Sequence, residues 1–368
     1  MTLSKAAAVR LLLDSLKIYS PSSQEAELGV LLRQQMEDLG YSRVRNDTAG
    51  NVIGEIGRGR TKVLLCGHMD TVPGPLPVRR SGGFIRGRGA ADAKSPLCAL
   101  LLAGAMSADS GLRITFAGAT REESDSLGVE TLMQNGGKFD YAVFGEPGGA
   151  SKITVGYRGR AALSLTVRTG GGHAGAPWAH PSAFGEFTSI LGELKEYEAK
   201  KAVPNDHFRS LSITPTLVSA GRSHNVLPDS CEATLDMRVP PTMRASEAVR
   251  DVRAIVERHR EGSTQSLTAG EVTEPYEAGA SSTIVRSFQR AIISTLKAKP
   301  TLVRKTGTGD MNTFAPRSGA ECLTYGPGES KTSHTDAEAV EVRDYLNSIE
   351  VLAEAFNQLG SLGSRGPR

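Results

Sequence analysis

Apolar and polar positions alternate along this 368-residue chain in two distinct periods. "MTLSKAAAVRLLLDSLK" has apolar residues at helical spacing, interrupted by Arg10 and Asp14, so it predicts an amphipathic helix and not a signal peptide. "SPSSQEAELGVLLRQQMEDLG" predicts a second helix, opened by a capping box of Ser22 and Glu25 and closed at Gly40. Short apolar runs follow: "NVIGEI", "KVLLCGH", "RITFAGA" and "YAVFGE". Helical stretches near 95–107 and 127–135 separate the last three. That alternation predicts an α/β layer, a mainly parallel sheet sandwiched by helices.

The period changes after "GEPGGASKITVGYRGR". Residues 161–273 read as strand, helix, strand, strand, helix, strand, the βαββαβ order of a ferredoxin-like α+β domain. Beyond it come a helix over 281–297, short strands and a long final helix from Val340 to Leu359. The simplest arrangement is one α/β domain split into 1–160 and 274–360, with 161–273 inserted as a separate lid. Residues 361–368 read as a disordered tail.

Composition narrows the function. No run approaches the roughly 20 apolar residues that span a bilayer, so no membrane role is expected. A net charge of +3 gives no argument for nucleic acid. Cys66, Cys98, Cys231 and Cys322 are far apart in apolar settings and read as reduced packing residues of a cytoplasmic protein. "GRGRTK", residues 57–62, lacks the P-loop spacing and reads as a turn between strands.

Functional groups of open α/β sheets collect at the carboxyl ends of strands. "LLCGHMD" brings His68 and Asp70 there, "GRGAADAKS" Asp92, "TFAGATREESDS" Glu122 and Glu123, and "AVFGEP" Glu146. Singly, each has an ordinary explanation: a hydrogen-bonded histidine, a solvated turn, or, for Asp92, a helix N-cap. Together they crowd acid at one sheet edge, which is costly without a cation. Imidazole and carboxylate ligands without a thiolate cluster suit catalytic Zn²⁺, Co²⁺ or Mn²⁺. Two such ions carry +4 against −3 on Asp92, Glu123 and Glu146, and one bridging hydroxide closes the balance. On strand spacing, Asp70 reaches the far ring nitrogen of His68 and fixes its tautomer.

"GHMDTVPG", "GRGAADAKSP", "REESDSLG", "GEP", "GGGHAGAPW", "HNVLPDSCEATLDMR" and "TSHTDAE" resemble, in order and spacing, one known family. It is the dinuclear zinc metallopeptidase family of succinyl-diaminopimelate desuccinylase, acetylornithine deacetylase and the glutamate-releasing carboxypeptidases. The resemblance covers essentially the whole chain. It implies two Zn²⁺ or Co²⁺ ions per subunit, bridged by Asp92, with His68 and Glu146 on one and Glu123 and His334 on the other. It implies a cis peptide between Asp92 and Ala93, and Glu122 as the general base acting on a metal-bridged hydroxide. It also implies a homodimer through the inserted domain, with His173 reaching the partner's site to bind the oxyanion. Asn225, Arg238, Gly307 and Thr308 match substrate-binding positions, although Gly309 stands where many relatives have Ser.

Within the family, "CGHMDTVPG", "EESDSLG" and "RKTGTGDMNTFA" look most like hydrolases that release lysine or ornithine from a small amino-acid carrier protein. That implies an isopeptide bond between the carrier's C-terminal glutamate and the α-amino group, in lysine or arginine biosynthesis. An acetylornithine deacetylase, another N-acyl-amino-acid deacylase or a dipeptidase is the alternative. A scaffold without catalysis is disfavoured, because it has no need of Glu122. "VRRSGGFIRGRG" carries Arg79, Arg80, Arg86 and Arg88 with no acid and predicts a hairpin at the mouth of the site. Four like charges are otherwise a solvated face, but they would steer an acidic carrier.

Overall fold

The computed structural model describes residues 4–135, 137–259 and 262–363. The chain divides into two compact units. The first comprises the segment ending at Gly156, Ala278–Val303 and the segment from Gly309 onward; the second is Tyr157–Glu277 with Arg304–Thr308. The 304–308 loop therefore departs from the sequence division. Arg304 Nε bonds Glu277 Oε1 at 2.6 Å and the Lys305 carbonyl accepts the Arg158 N–H, which explains its grouping.

The sheet of the first unit runs Ser42–Asn46, Val52–Ile56, Leu112–Ala119, Thr61–His68, Tyr141–Gly145, Glu321–Thr324 and Lys152–Tyr157. Its four central strands, from Leu112–Ala119 to Glu321–Thr324, are parallel, and the pairings outside them are antiparallel. The Thr61–His68 strand is buried from Val63 onward, as a strand covered on both faces must be. Against it lies helix Lys94–Met106, apolar nearly all round and buried from Lys94 to Ala105. The approach is close: a Cβ on Gly145 would stand 2.8 Å from Leu100 Cδ1.

The second unit is a four-stranded antiparallel sheet in the order Ser212–Ala220, Ser230–Val239, Gly159–Arg168, Thr264–Thr273. In chain order that is 2-3-1-4, the ferredoxin-like arrangement. Strict alternation along Gly159–Arg168 buries Ala161, Leu163, Leu165 and Val167. They share a core with Phe187, Ile190 and Leu194 of helix Ala183–Lys200 and Val252 and Ile255 of helix Ala245–Glu257.

Two helix ends differ from the sequence reading. Helix Ala26–Asp38 begins after Glu25 with no side-chain cap, because Ser22 and Glu25 bond elsewhere. The last helix, Val342–Gly363, runs through residues 361–363 of the expected tail; 364–368 lie outside the described residues. Its buried stripe of Tyr345, Ile349, Leu352, Phe356 and Leu359 carries it on. All four cysteines are free and buried, and no described helix is long and apolar enough to cross a membrane.

Gly360 brings this helix against the backbone of Ser110, where an added Cβ would lie 1.7 Å from the carbonyl oxygen. In a solvated helix, Gly→Ala gains roughly 1 kcal/mol. Here the collision outweighs that gain, and Gly360→Ala is expected to cost about 1–3 kcal/mol net. Urea unfolding checks it: the midpoint should fall at unchanged slope, and a raised midpoint would refute the packing.

Candidate metal centre

Three adjacent parallel strands end at one level. Thr61–His68 ends in His68, which stands opposite Ala119; Leu112–Ala119 then runs into Glu122 and Glu123, and Tyr141–Gly145 into Glu146. Asp92 precedes the buried helix, but it is no N-cap: that position is Ala93, and no side chain caps the helix. The Asp92–Ala93 peptide is cis, as the resemblance implied. His334 enters from the last third of the chain with a left-handed φ of 63°.

His68 Nε2 lies 3.3 Å from Asp92 Oδ1 and 3.7 Å from Glu146 Oε1. His334 Nε2 lies 2.8 Å from Glu123 Oε1 and 3.5 Å from Asp92 Oδ2. Each oxygen of Asp92 therefore faces a different imidazole. One ligand atom from each of His68, Asp92 and Glu123 falls within 4.8 Å of the others, and the same holds for His68, Glu122 and Glu146.

The electrostatics favour added positive charge. Burial raises the pKa of Glu122 well above the ordinary value, and Glu146, Asp310 and Glu123 push it further against the opposing charge of His68. Burial raises Glu123 as well. Asp310, also buried, is pushed up to about 7. Burial works against a charged His68, yet hydrogen bonds to Asp70 and Asp92 and the charges of Glu122 and Glu146 hold its pKa well above normal. Asp92 goes the other way: burial raises its pKa, but the hydrogen bond and charge of His68 hold it below the usual value. Buried acids pushed up around one pulled down by a histidine are chemically suited to divalent cations, and the oxygen and imidazole donors fit zinc or cobalt.

Asp70 supports this arrangement more broadly than strand spacing suggests. The Nδ1 of His68 lies nearest the Asp70 carbonyl, at 2.9 Å, with carboxylate Oδ1 at 3.4 Å. The ring proton on Nδ1 leaves the Nε2 lone pair for a cation. The Asp70 carboxylate accepts the N–H groups of Glu122 (3.1 Å) and Glu123 (3.0 Å) and the Ser22 hydroxyl (2.7 Å). Glu25 Oε1 accepts the N–H of Arg121, anchoring the same turn. The supposed capping residues thus brace the loop that carries Glu122 and Glu123, and helix periodicity concealed this. Buried Lys94 donates to the Ser15 and Ile18 carbonyls, with burial lowering its pKa to about 8.

The arginine hairpin is corrected at one position. Strands Arg79–Ser81 and Phe84–Arg86 form it, and Arg79, Arg80 and Arg86 are exposed. Arg88 is buried, with Nη1 2.8 Å from Glu338 Oε2, and cannot meet a partner. Run composition could not separate it from its neighbours.

Residues 64–358 match the profile of peptidase family M20/M25/M40. The chain belongs to this family. A [LysW]-lysine/[LysW]-ornithine hydrolase of Saccharolobus solfataricus is 30% identical over 97% of this M20 chain and 97% of its own length. A 35% identical protein of Pyrobaculum aerophilum, covering 96% and 98%, bears the same name provisionally. Aminopeptidase PepT of Bacillus cereus shares the M20 fold at a TM-score of 0.81 and 20% identity, over 97% and 99% of the two chains. YXEP of Bacillus subtilis, described as a dinuclear metal-binding peptidase from the M20 family, has a TM-score of 0.72 at 14% identity, over 97% and 98%.

The other expected site residues of this M20 enzyme lie in the second unit. His173 is exposed, and its Nδ1 accepts the Gly175 N–H at 2.9 Å, so the neutral ring carries its proton on Nε2 as a donor. His173 pairs with Val226, beside Asn225, whose side-chain oxygen accepts from Ser223. Arg238 bonds Asp236 through Nε (2.6 Å) and Nη2 (3.3 Å), which leaves Nη1, 3.5 Å from the Thr306 carbonyl, as its remaining edge. Arg238, Gly307 and Thr306 line a cavity of about 740 Å³ with Arg158, Lys195 and His207. Thr308 is half-buried just beyond that lining. Arg158 was not singled out by the sequence; burial and the charge of Arg238 bring its pKa down to about 10.

Asp70→Asn places an amide among N–H donors and should weaken metal affinity roughly 10–100-fold while both ions still bind at saturation. Chelator competition measures this. Complete loss of binding would mean that Asp70 is itself a ligand.

Proposed function

We propose that this hydrolase uses two divalent ions, zinc or cobalt, to release lysine or ornithine from the C-terminal glutamate of an acidic carrier protein. One observation carries the reading: Asp92 turns one oxygen toward His68 and the other toward His334, the geometry of a carboxylate shared by two cations. The names of the full-length relatives support the substrate and a place in lysine or arginine biosynthesis. His68 and Glu146 would hold one ion, Glu123 and His334 the other, and Asp92 both. Bound there, the ions supply Lewis acidity toward the scissile carbonyl and a nucleophilic water at neutral pH.

Glu122 takes the proton from the attacking water and passes it to the leaving amine, a role suited to a carboxyl whose pKa its surroundings raise. Asp70 holds the Glu122 and Glu123 backbone in place during that transfer. His173, a donor through Nε2, stabilises the oxyanion from the partner subunit of a homodimer. Dimerisation through the second unit is supported by its edge strand Ser212–Ala220, where Leu217 is 69% and Val218 47% exposed. Arg238 offers Nη1 to the α-carboxylate, with Asn225, Gly307 and Thr308 as further substrate contacts. Arg79, Arg80 and Arg86 draw in the carrier. Four buried free thiols support a reducing, cytoplasmic setting.

Mass-spectrometric detection of lysine or ornithine released from charged carrier tests this, with N-acetylornithine alongside and with or without a chelator. Release should vanish with the chelator; preferential hydrolysis of N-acetylornithine would favour the deacetylase instead. Glu122→Gln should retain the metals and lower turnover by roughly 10²–10⁴-fold. Arg79→Glu with Arg80→Glu should weaken hydrolysis of the carrier substrate, increasingly so at low salt, and leave a small acyl-lysine nearly unaffected. Equal loss on both substrates would sink the docking assignment.

A further inference from the structure

Glu338 stands four residues beyond His334 and is 1% exposed. Its Oε1 accepts the N–H groups of Ala91 (3.1 Å) and Asp92 (3.0 Å), and its Oε2 accepts Arg88 Nη1 (2.8 Å). Arg88 also donates through Nε to the Gly74 carbonyl (2.9 Å) and through Nη1 to that of Thr335 (3.2 Å). The backbones join here too: Gly87 N–H reaches the Glu338 carbonyl, and Ala339–Glu341 pairs with Phe84–Arg86. One buried carboxylate thus grips the turn that presents Asp92 from the segment that presents His334.

Stability alone does not account for such a pair, since a packed apolar pair would serve as well. Position does. The two oxygens of Asp92 must reach both imidazoles, and His334 sits in an exposed loop with a left-handed backbone. We infer that Glu338 and Arg88 form a positioning clamp that holds Asp92 and His334 in register for two cations. The inference rests on the two-cation reading of the centre. Neither residue touches the substrate; both act through Asp92 and His334.

The test uses the full-length protein, with Zn²⁺ affinity read by chelator competition and the visible spectrum of the Co²⁺-loaded form. Glu338→Gln keeps the side chain's shape but opposes an amide to Arg88. It should weaken metal affinity about 10–100-fold, shift the Co²⁺ spectrum and lower kcat with KM nearly unchanged. Glu341→Gln, at an exposed carboxylate three residues on, should change neither affinity nor spectrum. If Glu338→Gln does not fold, Arg88→Lys carries the test. It retains the charge, loses the bond to Gly74 and should move both readouts in the same direction. Wild-type affinity and spectrum in the folded variant overturn the clamp, as does an equal loss in Glu341→Gln. A wild-type protein that takes up no metal overturns the two-cation reading and the clamp with it.

Discussion

Carboxylates repel one another most strongly where water is scarce, and this fold gathers Asp92, Glu122, Glu123 and Glu146 around His68 at the edge of a buried sheet. Asp310 adds a further acidic group close enough to raise the pKa of Glu122. Such a cluster is tolerable only with compensating positive charge. The raised pKa values of His68, Glu122 and Glu123 express that demand as retained protons, and divalent cations meet the same demand with more charge in fewer positions. The support behind each of these loops follows from this constraint.

That support recurs in one chemical form, a buried carboxylate accepting backbone N–H groups from a loop that bears a functional residue. Asp70 does so for the Glu122–Glu123 turn, Glu25 for Arg121 at its start, and Glu338 for Ala91 and Asp92. Irregular loops leave N–H groups without ladder partners, and an ionised acceptor satisfies two at once. The hydrophobic sheet places the strand ends to within a residue, and these acceptors set the loops that continue from them.

The two units contribute different chemistry. The first holds the acidic centre. The second carries cationic groups, with Arg158 fixed by the Ser210 and Arg238 carbonyls and the Ser212 hydroxyl beside the half-committed Arg238. A guanidinium whose fork is partly engaged is already oriented, so it loses little freedom in taking a ligand.

Local periodicity was enough to read the parallel core, the βαββαβ insertion and the hairpin of Arg79 to Arg86, because burial imposes a repeat of two on strands and 3.6 on helices. Motif order likewise pointed to His68, Asp92, Glu122, Glu123, Glu146 and His334 as one site. It could not tell that Arg88 is buried while Arg79, Arg80 and Arg86 are exposed, that Ser22 bonds Asp70 and does not cap a helix, or that Glu338 holds Asp92. Each of those facts depends on a partner far along the chain, some 48 residues for Ser22 and 246 for Glu338. Residue type and spacing determine which elements form and which groups can bind a metal. Only the tertiary structure decides which charges meet, because pairing depends on proximity after folding and not on separation in sequence.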